Sequence, residues 1–426
     1  METFFLVLAI TGIAIQLLLI LIAFFQPALP YCIDQTPQET LDSAAFARVV
    51  GVLADADPYT DTAIEVLTNG PSFYEAQLDA IAHARRFVCI EAYIFQKGEI
   101  ATRYIDALTE RARAGIEVRV VLDAIGSFNT WPATFRKLLD AGGKVCWYQT
   151  FRWYNLPRFN NRTHRELMVV DGEVGFIGGA GIADHWYKDR GPKKRMWRDT
   201  MFRVRGRAVA SLQSLFAENW VESSGELMTD CKYYPECKQH GGTASLVINS
   251  TPSYGRSTRA RMVFQTLIAS ACRSIHITTP YFLPDRSMRR ELIKAIQQRG
   301  VEVKIIVPGK HSDHLLTRTS SRRLYGDLLK HGAQIYEYRP SMIHAKTLVV
   351  DSVWSVVGST NFDSRSFGIN DELNVAALDD VLASRIEQDF QSDLAASHRV
   401  TYREWQRRSP FERMHEWLGW ILERQE

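Results

Sequence analysis

The chain has 426 residues, and 51 Lys and Arg against 48 Asp and Glu leave a net charge of +3, too little for a strongly basic nucleic-acid surface. Hydrophobic residues make up 46% and charged residues 23%, which excludes disorder as the main theme, and 26 Gly with 15 Pro exclude collagen-like and linker-like chains. At about 150 residues per domain the length predicts two to three domains.

The first predicted element is a membrane anchor. No charged side chain occurs from Thr3 to Ile33, and Phe4 to Phe25 is interrupted only by Thr11, Gly12 and Gln16. At 1.5 Å per residue that run spans roughly 33 Å, against a hydrocarbon core of about 30 Å. A cleaved signal peptide carries a cationic n-region and a shorter apolar core, whereas this N-terminus reads Met1-Glu2-Thr3. Residues 1–30 are therefore expected to form a permanent, single-pass anchor in the cell (inner) membrane. No Lys or Arg precedes Arg48, so the positive-inside rule leaves the side of the catalytic domain open. Cys89, Cys146 and Cys272 lie in apolar, strand-like runs and are expected to be buried thiols. Cys231 and Cys237 bracket Lys-Tyr-Tyr-Pro-Glu and pair only if that loop faces an oxidising compartment.

After an acidic, Pro-containing connector over residues 31–60, the chain runs through one plan twice. Arg86–Tyr93 corresponds to Arg273–Pro280, Gly115–Val121 to Gly300–Ile306, Ala141–Val145 to His331–Ile335, and His164…Asp171 to His344…Asp351. Each copy alternates β-branched apolar runs with helical stretches such as Thr102–Ala114 and Ser287–Arg299. That rhythm predicts an α/β fold with mixed, largely parallel sheets flanked by helices. Lobe 1 is assigned to 61–235 and lobe 2 to 236–400. A pseudo-two-fold axis would bring equivalent residues to one central cleft.

The sharpest motif is Ser341-Met342-Ile343-His344-Ala345-Lys346-Thr347-Leu348-Val349-Val350-Asp351, followed by Gly358-Ser359-Thr360-Asn361. Alternation along an extended segment puts His344 and Lys346 on one face, and a returning strand would bring Ser359 and Asn361 beside them. Imidazole, ammonium and amide together suit a tetrahedral phosphate. This H-x-K-x4-D pattern with G-S-x-N downstream resembles the HKD motif of the phospholipase D superfamily. Ile277–Asp285, Tyr336–Met342, Asn361–Phe367 and Asn370-Asp371-Glu372-Leu373-Asn374 resemble bacterial cardiolipin synthases in particular. The likeness covers roughly residues 70–400 and implies two phospholipase-D-like lobes.

Lobe 1 departs from the pattern. Thr163-His164-Arg165-Glu166-Leu167-Met168-Val169-Val170-Asp171 keeps the histidine and the aspartate but has Glu166 where the family has lysine, and Gly178-Gly179-Ala180-Gly181 ends in glycine where the family often has asparagine. Glu166 is read as a mark of a decayed lobe, as a substrate contact, or as a bridge to Lys346. Gly179, Ser359 and Asn361 join it as candidate substrate-binding positions. Arg165 should face away, which leaves Lys188, Lys193, Lys194 or Arg198 as substitute cations.

The resemblance implies a two-step displacement by His164 and His344, with Lys346, Asp171 and Asp351 in the catalytic set. It also implies an acidic residue some 30 positions after each histidine to fix its tautomer: Asp199 for His164 and Glu372 for His344. Analogy makes His164 the nucleophile and His344 the acid/base, although the fuller phosphate pocket around His344 argues the reverse. The implied activity is phosphatidyl transfer between phospholipids, with phosphatidylglycerol as a substrate and phosphatidylethanolamine as a candidate acceptor. No metal, no other cofactor and no nucleic acid is expected. The alternatives are a phosphodiesterase hydrolysing phospholipid or nucleic acid, and a lipid-binding scaffold.

The last predicted element, over 401–426, is an amphipathic helix opened by the Ser409-Pro410-Phe411-Glu412 capping box. Its Trp405, Trp417 and Trp420 with nearby arginines fit either docking onto lobe 2 or the headgroup layer of a membrane.

Overall fold

The computed structural model describes residues 2–24, 31–151, 153, 160–191, 194–236, 241–253, 258–409 and 412–413. Lobe 1 contains β1 (Tyr59–Thr68), β2 (Phe87–Ala92), β3 (Glu117–Asp123), β4 (Lys144–Tyr148), β5 (Leu167–Val170), β6 (Val174–Gly178) and β7 (Thr200–Arg205). Lobe 2 contains β8 (Thr243–Ser250), β9 (Ser274–Thr278), β10 (Phe282–Leu283), β11 (Glu302–Pro308), β12 (Gln334–Tyr338), β13 (Thr347–Val350), β14 (Trp354–Gly358), β15 (Phe362–Asp363), β16 (Glu372–Leu378) and β17 (Ser397–Val400).

In space the order is β4-β3-β2-β5-β6-β7-β1 in lobe 1 and β12-β11-β9-β13-β14-β16-β8 in lobe 2, with β17 added outside β12; β1 pairs with β8, joining the lobes. The short β10 and β15 pair separately. Strands β2, β3 and β4 run parallel, as do β9, β11 and β12, while the strands around β5, β6, β13 and β14 are antiparallel. The two orders match element for element, as the repeated blocks predict. Helices Glu99–Arg113 and Arg286–Arg299 supply equivalent right-side crossovers between parallel strands, the second capped by Asp285 and ended by Gly300 at φ 69°.

Among the described residues the core has three large parts and a small fourth cluster of Ile306, Tyr338, Ile343 and Phe390. Helices Gly70–Ala82 and Glu99–Arg113 cover the outer face of lobe 1, packing Phe73, Ile100 and Leu108 onto Val88, Ile90 and Val120. Val263, Leu267 and Leu292 do the same for lobe 2 over Ile275, Ile277 and Ile305. Between the lobes, Cys89, Val169 and Phe202 meet Val349, Val357 and Val375 together with helix residues Leu212, Phe216 and Ile386. Strands covered on both faces must be apolar throughout, and all six residues of β2 are buried.

Most of residues 31–60, expected as a connector, packs onto lobe 2, and Tyr59 already begins β1. Helix Ala44–Ala54 is capped by Ser43 and buries Phe46 and Val50 in the lobe 2 core. Ahead of it, the Ile33 amide donates to Glu291 at 2.8 Å. Cys272 is exposed, in the turn before β9, and Cys146 is only half-buried, which corrects the expectation of three buried thiols; Cys89 is buried. Cys231 is exposed and bonded to no other cysteine among the described residues, and Cys237 lies outside them.

The N-terminal run is helical over Glu2–Phe24, 23 residues, or about 34 Å at 1.5 Å per residue. Its described side chains end at Leu19, and among the described residues no helix is long and apolar enough to cross a membrane. The transmembrane assignment is thus not established by the fold. At the other end the Ser409 and Glu412 cap bonds form, whereas the apolar face expected beyond them lies outside the described residues.

Asp171 and Asp351, grouped with the catalytic residues by the resemblance, do other work. Each sits at φ near +55° in the turn ending β5 or β13 (φ 55° and 54°). Asp171 accepts the amides of Arg85, Arg86 and Phe87 at 2.7–2.9 Å. Asp351 accepts those of Cys272, Arg273 and Ser274 at 2.7–2.8 Å. Seven residues of extended chain put each carboxylate about 20 Å from its histidine. The aspartates lock β2 and β9 in register. Asp171→Ala and Asp351→Ala should each lower the unfolding free energy by about 3 kcal/mol, through lost charge-assisted bonds to three amides, read as a fall in the thermal midpoint.

Candidate active site

The two histidines are placed by the junction of the lobes. Thr163 bridges Asp371 and Arg198 bridges Ile343, two equivalent parallel contacts across the pseudo-axis. The His164 amide donates to the Asp371 carbonyl at 2.9 Å, and the His344 amide donates to the Arg198 carbonyl at 2.7 Å. Each histidine is therefore stitched to the opposite lobe immediately beside an acidic residue: Asp371 precedes Glu372, and Arg198 precedes Asp199.

The consequence is a crossed pairing. His164 Nδ1 lies 3.1 Å from both Glu372 carboxylate oxygens, and His344 Nδ1 lies 2.9 Å from Asp199 Oδ2. This corrects the assignment of each acid to the histidine of its own lobe. Sequence distance suggested same-lobe partners, but the strand that carries each acid turns toward the pseudo-axis and delivers it to the other side. With Nδ1–H donated to a carboxylate, Nε2 is the unprotonated nitrogen of each neutral ring, and in His344 it lies 3.2 Å from Lys346 Nζ.

Both acids are held from several directions. Asp199 also accepts the Trp186 indole at 3.1 Å and the Thr200 amide at 2.8 Å. Burial pushes its carboxyl up, but the His344 hydrogen bond and charge, with Lys346, outweigh it and leave it below its ordinary value. Glu372 accepts the Ser359 hydroxyl and the Asn370 amide, and Ser359 in turn accepts the Leu373 amide at 3.0 Å. Ser359, expected to touch substrate, is thus hydrogen-bonded on both sides within lobe 2. Asn361 is buried, and its Oδ1 has no hydrogen-bond partner among the described residues.

Lys346 donates to the His344 carbonyl at 2.9 Å, with its Nζ 2.8 and 3.2 Å from the ring nitrogens. Burial, then the Lys346 charge, lowers the His344 pKa against the pull of Asp199, so the ring stays neutral to lower pH. Burial likewise lowers Lys346, opposed by Asp199, Glu372 and Glu166. One ammonium thus feels the acids of both histidines. Gly179 makes room for it: a Cβ there would come within 3.0 Å of Lys346 Nζ and 2.8 Å of Asp199 Oδ1. Gly179 is a spacer in lobe 1 for a lysine of lobe 2.

The Glu166 carboxylate bonds to the backbone. It is buried, accepts the amides of Tyr93 at 3.2 Å and Ile94 at 3.3 Å, and has no ion pair to Lys346 within 4.0 Å among the described residues. Burial holds its carboxyl well above the usual range, against the Ile94 amide and Lys346. A Cβ at Gly181 would lie 3.0 Å from Glu166 Oε1 and 2.4 Å from the Ile94 carbonyl. The two departures of lobe 1 from the motif are therefore one local rearrangement. Of the substitute cations, Arg198 is committed to Asp393 at 3.0 Å and Asp389 at 3.6 Å, Lys188 pairs with Glu99 at the surface, and Lys193 lies outside the described residues. Arg165 faces away, buried against Glu218 and Asn249.

Sequence reasoning missed the aromatic walls. Trp186 and Trp197 lie against His344 with ring centroids 5.2 and 5.5 Å away, and His185 sits between the two indoles at 4.1 and 3.9 Å. Burial pushes the His185 pKa down to about 3, so it is a neutral packing ring. Tyr93 meets His164 edge-on at 5.2 Å. Position just after β2 is the one signal that pointed to Tyr93; nothing in the motif spacing marked the tryptophans.

A family profile described as "Cardiolipin synthase, PLD-like domain" matches residues 78–216 and 264–394, one segment in each lobe. The major cardiolipin synthase of Bacillus subtilis (strain 168) is 33% identical over 366 residues, covering 85% of this chain and 75% of that protein. Cardiolipin synthase 1 of Bacillus anthracis is 33% identical over 82% of this chain and 69% of its own length. Among solved structures, the phosphatidylserine synthase of Haemophilus influenzae Rd KW20 shares the fold at a TM-score of 0.68 and 15% identity, over 88% of this chain and 97% of that one. With one matched segment in each lobe and a histidine in each, the chain belongs to the cardiolipin synthase, PLD-like domain family, and is a transferase of the phospholipase D superfamily.

Proposed function

We propose that the protein is a membrane-anchored phosphatidyltransferase that moves a phosphatidyl group from one phospholipid to the hydroxyl of another through a phosphohistidine. The observation that carries this reading is the crossed pair of carboxylate-held imidazoles, His164–Glu372 and His344–Asp199, sharing one lysine. Two rings fixed in the same tautomer are what a two-step displacement needs. In the first step, Nε2 of one ring attacks phosphorus, the bond from phosphorus to the leaving alcohol breaks, and the other ring, protonated, gives that oxygen its proton. In the second, the now neutral ring takes the proton of the incoming hydroxyl, whose oxygen displaces the histidine. Lys346 offsets the negative charge gathering on the non-bridging oxygens.

Family analogy assigns attack to His164 and acid/base work to His344. A second reading reverses the roles, because burial and Lys346 favour the neutral His344 ring that an attacking imidazole requires. Acid quenching during turnover and mapping of the phosphorylated histidine separates the two. The apolar N-terminal helix supports placement at a membrane, with the single span and its orientation as part of the proposal.

Purified full-length protein incubated with phosphatidylglycerol should yield diphosphatidylglycerol and glycerol; phosphatidic acid alone would make it a hydrolase, and no product would overturn the enzymatic reading. His164→Ala and His344→Ala should each reduce turnover about a thousandfold or more. Because the pairs are crossed, Asp199→Asn should impair the half-reaction that depends on His344, and Glu372→Gln the one that depends on His164, each by about a hundredfold. In Lys346→Met one of the influences holding the His344 pKa down is gone. Neutral His344 then requires a higher pH, so its limb in the pH–rate profile should move upward while the plateau falls.

A further inference from the structure

A buried acid that the proposed mechanism does not use stands directly before one that it does. Asp371 precedes Glu372 at the start of β16. On extended chain successive side chains point to opposite faces, so while Glu372 turns toward His164, Asp371 turns into the packing between the lobes. There its buried carboxylate accepts the Tyr148 hydroxyl at 2.8 Å, and Arg165 Nη2 stands 3.9 Å from its other oxygen. Burial pushes the Asp371 carboxyl up to about 6, against the pull of Arg165 and of the Tyr148 hydrogen bond. A carboxylate in that setting costs folding free energy that its partners only partly offset.

The lobe 1 segment that Asp371 meets is fixed on both sides of His164. The Thr163 hydroxyl donates to Glu91, which also accepts the Asn219 side-chain amide at 2.6 Å. Arg165 donates to the Leu215 carbonyl at 2.9 Å, to Glu218 at 2.8 Å and to Asn249 at 2.7 Å. Against this segment the Asp371 amide donates to the Arg162 carbonyl at 2.9 Å, and the Asp371 carbonyl accepts the His164 amide at 2.9 Å. Two backbone bonds along one edge still leave the crossing segment free to roll about that edge. The Tyr148 hydroxyl, reaching in from the end of β4, bonds off that edge and removes the roll. On the His344 side the matching residue, Arg198, is held by other means: ion pairs to Asp393 and Asp389 and bonds to the Asp199 carbonyl and the Thr200 hydroxyl at 2.6 and 2.7 Å.

We propose that Tyr148 and Asp371 are positioning residues for His164: their hydrogen bond fixes the segment that carries Glu372, and so sets the carboxylate that orients the imidazole. Both act on phosphatidyl transfer through Glu372 without touching lipid. The proposal deepens the reading of the site as a phosphatidyltransferase and rests on it. A carboxylate displaced by about 0.5 Å bends its bond to Nδ1–H, and the ring then spends less time in the direction that attack or proton transfer needs. Substrate binding is left alone, so the loss falls on kcat and not on KM.

The test uses the full chain with phosphatidylglycerol, and circular dichroism to confirm the fold of each variant. Tyr148→Phe, which removes one hydroxyl and keeps the ring, should lower kcat about tenfold with KM within about twofold. In a Glu372→Gln background the same change should cost less than about twofold, whereas in an Asp199→Asn background it should keep its full effect of about tenfold. Asp371→Asn retains an acceptor for the Tyr148 hydroxyl and should stay within about threefold, while Asp371→Leu should lose about tenfold or more. An undiminished loss in the Glu372→Gln background overturns the proposal, as does wild-type kcat in Tyr148→Phe. In protein carrying isotope-labelled histidine, Tyr148→Phe should shift the ring-nitrogen resonances of His164 and leave those of His344 in place; both sets unmoved, or both moved equally, also overturn it. Absence of turnover by the wild type strikes the functional reading instead, and the ring resonances then decide the positioning role alone.

Discussion

Two carboxylate–imidazole bonds made across the pseudo-axis organise this molecule. Because Glu372 of lobe 2 holds His164 of lobe 1, and Asp199 of lobe 1 holds His344 of lobe 2, neither lobe contains a complete half-site. The shared core of Cys89, Val169 and Phe202 against Val349, Val357 and Val375 is therefore a requirement of the chemistry as well as of stability. Separating the lobes would strip each histidine of the acid that orients it, and removing one partner while the carboxylate stays buried would leave an uncompensated charge, which is among the costlier changes a fold can suffer.

The same crossing explains the asymmetry of the motif. In lobe 2 the serine, asparagine and lysine positions are filled, with Ser359 bonded to Glu372 and Lys346 close to His344. In lobe 1 the equivalent space is empty at Gly179 and occupied from across the interface by Lys346. Glu166 bonds two amides, and Gly181 leaves room for it. One ammonium feels the acids of both histidines, and lobe 1 has Glu166 at the position where lobe 2 has this lysine.

Large parts of this were legible in the sequence. The repeated blocks and their alternation of β-branched runs with amphipathic helices are local signals, and the matched strand orders of the two lobes follow from them. The motif around His344 placed His344 and Lys346 together because a two-residue spacing on extended chain does so irrespective of the rest of the fold. Residues 31–60 read as a connector because helix Ala44–Ala54 is short and its burial depends on the lobe 2 surface beneath it. Cys272 read as buried because an apolar run says nothing about the turn that opens it.

What the sequence determined by itself was the duplication, the lobes, the two histidines and the acids that could serve them, since each is written in residues a few positions apart. Which acid pairs with which histidine, which amides hold Glu166, and which strand ends Asp171 and Asp351 clamp were decided by tertiary structure. All three depend on where chain segments tens to hundreds of residues apart come to lie. A hydrogen bond is short and directional, so its partner is chosen by the packing of the lobes and not by distance along the chain.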